Sequence, residues 1–360
     1  MSCREHSIVA RVGLVAALVF GSLSSGCYAP TLSKPRGAAH LDALAEASAH
    51  QHHGRYREAA DAYQRAADAA ERRVDRDEML YRATRSLARL GARDEAIAIC
   101  DKLGSDAPLG RRTLRARLDA ARYRLDAGET ERAREDLRAL IIAQPESAAA
   151  SSALRMLVRL DVDAIEDKQQ GLVWVRDLRS EIKQSSLGEA LMSLEAALLL
   201  ELGRKDEAKL TLERQVERYP YPEGSRWDDA LWQLADLSLE AESPKEAVRY
   251  LRQMIAVHES SFILGSYTRP LMSKAALRIA RIYRDDLRDP KAALDAYAEV
   301  RSEFPRSLVI DDALAEEADL RITQGDRKHG CKLLEQLVEQ HQVGSARRRA
   351  EARIAAECRR

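Results

Sequence analysis

Three glycines, Gly54, Gly91 and Gly128, stand 37 residues apart, and Gly203 follows after 75 residues, about twice that interval. Five places after each comes an alanine: Ala59, Ala96, Ala133 and Ala208. Larger residues then recur four and seven places on, as Tyr63 with Ala66, Cys100 with Leu103, and Leu137 with Leu140. Weaker copies run on through Ala247 with Leu251 and Met254, through Ala293 with Tyr297 and Val300, and through Gly325 with Leu334 and Leu337. Pro145, Pro220 and Pro305 close units, and one degenerate unit fills Ser147 to Ser186. The physical reading is a helical hairpin per unit. Glycine tolerates the left-handed conformation that ends a first helix, and the alanine lets the second helix pack closely. Residues four and seven further on share that face. One hairpin cannot cover its own apolar face, so neighbouring units must stack.

Composition agrees. Gly and Pro together number 27 of 360 residues, well under the roughly 12% of an average globular chain, and aromatic residues make up 5%. A β-sandwich or barrel, which leans on Val, Ile, Tyr and Phe, is disfavoured. The chain is 45% hydrophobic and 32% charged, with 58 cations balancing 58 anions, so neither wholesale disorder nor a dedicated nucleic-acid binder fits. Arginine outnumbers lysine 47 to 11 and asparagine is absent, a pattern that reads as codon bias rather than selection for phosphate binding.

The spacing Gly54-x-Tyr56-x-x-Ala59-x-x-x-Tyr63-x-x-Ala66 resembles the tetratricopeptide repeat. About eight units cover residues 39–343, with a period nearer 37 than the family's usual value of about 34 and with the first-helix Trp mostly absent. The resemblance implies an all-α, right-handed superhelical solenoid of about eight helical hairpins. Tyr219-Pro220 and Phe304-Pro305 at unit ends resemble periplasmic lipoproteins of the barrel-assembly and Tol-Pal groups. Members of the family bind ligands on the concave face of their first helices. Carried over, those positions are Tyr81, Arg85, Arg89, Arg115 and Arg122 early on, then Asp229, Trp232, Asp236 and Asp319, a groove that changes sign along its length. Of these, Tyr81, Arg85, Arg89, Arg122, Trp232 and Asp236 are the expected partner contacts.

Residues 1–26 read as an export signal: Arg4 and Arg11 are basic, and Val12 to Leu23 form an uncharged apolar run. That run is too short to span a bilayer, which takes about 20 residues. Ser24-Ser25-Gly26-Cys27 resembles the lipobox of bacterial lipoproteins, with Leu23 one position earlier than the usual leucine. The resemblance implies a lipidated Cys27; ordinary cleaved secretion and an uncleaved anchor are the other readings, and all three give an extracytoplasmic protein. Tyr28 after the Cys points to outer-membrane sorting, the mature chain then facing the periplasm. Residues 27–38 form a tether, and residues 344–360 form an arginine-rich capping helix.

Chemistry is scarce. The chain has no Gly-x-Ser-x-Gly, no phosphate-binding loop, no Cys-x-x-Cys and no calcium loop, and His258-Glu259 lacks the second His of a zinc-protease motif. His40, His50, His52 and His53 have no matched Cys or carboxylate spacing, so they read as a solvated helix end. Cys100 falls at a repeat core position. Cys331 and Cys358 lie on helices that turn near Val343 and Gly344, which brings the two thiols to similar height for a disulfide. The apolar stretch Ser260 to Pro270 either docks a partner or folds back between repeats, and Tyr219 to Gly224 reads as a long inter-repeat turn. The expectation is therefore a non-catalytic scaffold for a cell-envelope protein, held to the membrane through Cys27. It has no catalytic residues, metal, cofactor, nucleic acid or small-molecule substrate. The rivals are a cell-wall glycan binder using Asp228-Asp229 or Asp311-Asp312, and a self-assembling structural repeat.

Overall fold

The computed structural model describes residues 35–106, 110–163, 167–182, 185–257, 269–340 and 345–358. The export signal, Cys27, most of the tether, residues 258–268 and the turn at Val343 and Gly344 lie outside the described residues. Helices account for almost everything else, and no strand occurs among the described residues. They are α1 (Ala38–His52), α2 (Tyr56–Asp68), α3 (Arg73–Leu90), α4 (Arg93–Asp106), α5 (Arg111–Asp126), α6 (Thr130–Ala143), α7 (Ala148–Val158), α8 (Lys168–Glu181) and α9 (Ser186–Glu201). There follow α10 (Lys205–Arg218), α11 (Trp227–Glu240), α12 (Pro244–Ile255), α13 (Pro270–Asp285), α14 (Pro290–Glu303), α15 (Ile310–Thr323), α16 (Arg327–Gln340) and α17 (Ser345–Arg353). Among the described residues α1 packs on α2, α3 on α4, α9 on α10, α11 on α12, α13 on α14 and α15 on α16, and α17 caps the last pair, so the fold is an all-α array of helical hairpins. It divides into two compact units, unit 1 up to Leu140 and unit 2 from Ile141.

The turn chemistry explains the hairpins. Gly54, Gly91, Gly128, Gly203 and Gly325 all have φ between 72 and 88°, the left-handed region that glycine enters without a Cβ clash. Glu242 and Arg288 hold the same place, at φ 53 and 54°, five residues ahead of Ala247 and Ala293. Side chains in this region cost about 1 to 2 kcal/mol, so the packing around these two turns holds them there. Pro244 and Pro290 open the helices that follow, where a missing N–H costs nothing.

In unit 1 the small faces of α2 (Ala59, Ala62, Ala66) meet Met79 and Ala83 of α3, with Tyr63, Cys100 and Leu103 filling the space between hairpins. Burial pushes the Cys100 thiol up to about 12, which leaves it an inert core residue. In unit 2 a continuous core joins Leu212, Leu231, Leu234, Leu251, Met254, Ile279, Tyr297 and Phe304. A second cluster of Leu314, Leu334, Leu337 and Ala350 seats α17 on the last hairpin. Each such leucine contributes about 1.5 to 3 kcal/mol of transfer free energy, and this inter-hairpin burial is what the repeat spacing encodes. No helix among the described residues is long and apolar enough to cross a membrane.

Candidate functional site

Because the left-handed residue fixes the register of each hairpin, the first helices present equivalent positions at a constant offset. Six residues ahead of the turn stand Arg85, Arg122, Asp236 and Asp319, before Gly91, Gly128, Glu242 and Gly325 respectively. Arg85, Arg122 and Asp319 are exposed and the Asp236 side chain is 43% exposed, whereas the same place before Gly54, Gly203 and Arg288 is held by Ser48, Ala197 and the buried Ile282, so charge at this position belongs to four of the hairpins.

In unit 1 the row is built around a buried carboxylate. Asp119 on α5 accepts a hydrogen bond from the Tyr81 hydroxyl of α3 at 2.9 Å, and pairs with Arg122 at 3.2 Å and Arg115 at 3.7 Å. Burial, with Asp119 beside it, holds the Tyr81 hydroxyl above its ordinary pKa, so it stays a donor at neutral pH. Tyr81 thereby differs from the sequence expectation of an open contact. Its side chain is only 7% exposed, its hydroxyl is engaged, and Arg112 stands 5.4 Å from its ring centroid. Its role is to fasten α3 to α5. Arg85 and Arg89 are exposed as a contact surface requires, and Arg89 rests 5.7 Å from the Tyr56 ring.

In unit 2 the structure brings two of the expected residues together and adds a third. Trp232 and Asp236 lie one turn apart on α11; Arg278 of α13 stacks 4.6 Å from the Trp232 ring centroid while ion-pairing with Asp236. The half-buried Trp232 therefore presents a ring whose one face already holds a cation. Further along, Asp319 pairs with Arg353 of α17 at 2.9 Å. Asp229 stays exposed, and partial desolvation of its carboxyl, with the Asp228 carboxylate beside it, raises its pKa.

Glu316 of α15 gathers Arg281 at 2.6 Å, Arg284 at 2.9 Å and the Tyr297 hydroxyl at 2.9 Å. Burial alone would raise its pKa, but the bonds from Arg281 and Tyr297 and the two guanidinium charges outweigh it and lower the value below the ordinary 4.5. A carboxylate depressed in the folded state stabilises the fold above the unfolded value and loses that contribution as pH falls through the folded one. Thermal unfolding followed from about pH 6 down to about pH 3 is therefore expected to steepen below about 4.5 in the wild type, and to flatten there in Glu316→Gln.

The acidic pairs of the glycan reading do not converge. Asp228 is buried and paired with Arg269 at 2.6 Å, whereas Asp312 lies 3.9 Å from Arg281 and from Arg349. A cleft of about 650 Å³ between α10, α11 and α12 is lined by Glu213, Tyr221, Trp227, Arg249 and Tyr250, where Tyr250 donates to Glu213 at 2.5 Å. Glu217 lines it as well, so the cleft carries two carboxylates, of which Glu213 is joined to a tyrosine. Among the described residues no three His, Cys, Asp or Glu side chains gather as metal ligands. His40 is buried and donates from Nδ1 to the Ala66 carbonyl at 2.8 Å, and His50 lies 3.5 Å from Glu46. Cys331 and Cys358 are joined as a disulfide between α16 and the helical turn that follows α17.

These hairpins define a helical-repeat protein with outward-facing polar rows, a class that acts through binding surfaces. Residues 118–154 and 274–307 each match a family model described as tetratricopeptide repeat, so the chain contains tetratricopeptide repeats. Such repeats typically serve as non-catalytic scaffolds for protein partners. No curated protein matches the chain. Among solved structures it is similar to a tetratricopeptide repeat protein from Parabacteroides merdae, at 16% identity over 77% of this chain and 98% of that one, TM-score 0.33. It is also similar to Pseudomonas aeruginosa pilF, at 18% identity over 66% and 96%, TM-score 0.36. MamA from Desulfovibrio magneticus aligns at 12% identity over 51% and 89%, TM-score 0.33.

Proposed function

We propose that the protein is an exported, lipid-anchored adaptor of the bacterial cell envelope, held to the outer membrane through Cys27 and facing the periplasm. It is non-catalytic and captures an envelope protein on the faces of its first helices. The observation that carries this reading is that each unit keeps charged side chains outward at repeat-equivalent first-helix positions, Arg85 and Arg122 in unit 1 and Asp319 in unit 2. Spreading contacts over several units builds affinity from modest terms, with Trp232 as an aromatic anchor in unit 2. The export reading is supported by the lipobox-like Ser24 to Cys27, and the unit ends Tyr219-Pro220 and Phe304-Pro305 resemble barrel-assembly and Tol-Pal lipoproteins.

The test is in vivo photocrosslinking from positions 85 and 319, together with cell fractionation. The expected result is one or a few envelope proteins captured by the wild type, and a shift of Cys27→Ser from the membrane to the soluble envelope fraction. Capture of nothing at either position sinks the adaptor reading, and membrane retention of Cys27→Ser sinks the anchor.

A further inference from the structure

The second helices of unit 2 are tied to each other in rungs, and one rung is open. Lys209 of α10 pairs with Glu246 of α12 at 2.7 Å, and one turn on Glu213 accepts from the Tyr250 hydroxyl at 2.5 Å. Burial, with the bond to Glu213, pushes the Tyr250 hydroxyl up to about 12, so it stays a donor. A further turn on stand Glu217 and Gln253, both exposed on the wall of the cleft of about 650 Å³ and without a side-chain partner among the described residues. Where the ladder predicts a third tie, the helices leave a space. Its floor is apolar: Val216, Trp227 and Leu234 are buried, while Tyr221 and Val257 stand half-buried at its sides. The volume falls within the range of about 300 to 1,000 Å³ of ligand clefts.

The charge around this floor is negative. Glu213 and Glu217 line it, and both helices end beside it, α10 at Arg218 and α12 at Ile255. A helix C-terminus carries about half a negative charge, which adds to the two carboxylates. Arg249 is the one cation in the lining, and it is committed: it pairs with Glu246 at 3.1 Å and stacks 4.1 Å from the Tyr250 ring centroid. We propose that this cleft, set between second helices and away from the charged first-helix row, binds a peptide segment of a protein partner that places an aromatic or branched apolar side chain within two residues of a lysine or arginine. The apolar side chain covers Val216, Trp227 and Leu234, and the cation completes the open rung at Glu217. Side chains two apart on an extended segment lie about 7 Å from each other, so one residue fills the floor while the other stays at the rim. Nucleic acid and anionic lipid would set phosphate against the carboxylates, which disfavours both. The inference rests on the adaptor reading and gives its partner a second point of attachment.

Fluorescence anisotropy of full-length protein in mild detergent tests this, using a labelled peptide of alternating Phe and Lys spaced by Ser. The expected result is saturable binding that weakens with added salt and falls about tenfold or more in Glu217→Lys, about threefold in Glu217→Gln. Ala256→Trp, which fills the cleft from an exposed position, is expected to abolish it. Arg85→Glu/Arg89→Glu is expected to leave it unchanged. Wild-type affinity in both Glu217→Lys and Ala256→Trp, with unchanged thermal unfolding, overturns the inference. Equal affinity for a peptide with Ser in place of every Phe, or in place of every Lys, also overturns it. So does a gain of about tenfold on replacing residues 259–267 with a Gly-Ser linker, because the occupant is then the chain's own segment. Crosslinking from positions 85 and 319 separates the two readings. If a partner is captured there equally by the wild type and by Ala256→Trp while the peptide fails to bind, the cleft inference falls and the adaptor reading stands. Peptide binding at the cleft with nothing captured from 85 or 319 does the reverse.

Discussion

Replacing Glu189 with alanine is expected to destabilise unit 2 by about 3 kcal/mol. Glu189 lies on α9 with 1% of its surface exposed, and its carboxylate accepts from the Ser225 amide at 2.9 Å, the Ser225 hydroxyl at 2.7 Å and the Arg226 amide at 2.8 Å. These three bonds hold the turn that delivers the chain into α11. A hydrogen bond to a charged acceptor is worth about 1.5 to 3 kcal/mol, but Ser225 and Arg226 are exposed and regain water, which keeps the total well below three times that value. Glu189→Gln keeps an acceptor and removes the charge, so about half the loss is expected. The same turn explains Gly224, where an added Cβ would lie 2.1 Å from the Tyr219 carbonyl oxygen and 3.0 Å from Glu189 Oε1. Gly224→Ala is therefore strained by backbone, and combined with Glu189→Ala its cost is less than additive, because both changes release one structure. Thermal unfolding of the four variants measures this; a loss under about 1 kcal/mol for Glu189→Ala would show that the turn holds itself.

This turn also marks where sequence reading stops. Tyr219 to Gly224 reads as a long connection between units, and length was all its residues conveyed. Its rigidity comes from Glu189, more than thirty residues earlier, and from Arg269, which donates to the Gly224 carbonyl at 2.7 Å and stacks over Tyr221. The hairpins themselves were legible because each needs a local device, a left-handed turn followed five residues on by a small side chain. Gly330 shows how strict the second requirement becomes, since a Cβ there would approach Ile322 Cγ1 to 2.6 Å and the Ala318 carbonyl to 2.8 Å. The fourth hairpin, α7 and α8, reads poorly because it dispenses with the glycine turn. A π-helical turn at Arg159–Asp163 follows α7, and Gly171 of α8 faces it, where an added Cβ would lie 3.4 Å from Val162 Cγ1. The division after Leu140 leaves no mark because it falls inside α6, whose apolar period runs on unbroken. At the candidate site, Trp232 and Asp236 follow from repeat position, whereas Arg278 does not, since its place over Trp232 depends on how one hairpin stacks on the next. The hub role of Asp119 is hidden for the same reason, and Tyr81, chosen as a contact, proves to be its partner.

The other large effect is expected at the C-terminal cap. The Cys331–Cys358 bond closes a loop with a sequence separation of 27, and a loop of that size restricts the unfolded chain by about 3.5 kcal/mol. Little else fixes this end. Ala350 is the buried contact of α17, Ile354 packs partly on the Leu334 cluster, Arg347 donates to the Val338 carbonyl at 3.1 Å, and the other ties include exposed ion pairs such as Arg353 with Asp319. Cys331→Ala/Cys358→Ala is therefore expected to unfold the cap first, exposing Leu334 and Leu337 to water while the more distant hairpins keep their packing. Amide exchange should show loss of protection spreading from α17 into α16, and proteolysis after Arg347 to Arg349 should accelerate at a temperature the wild type tolerates. Peptide mapping without reductant should recover the two cysteines as one linked pair, with Cys100 as a free thiol. Separate Cys331 and Cys358 peptides would remove the staple from the account. Equal exchange in wild type and variant would mean that Ala350 and the surrounding ion pairs are enough to close the array.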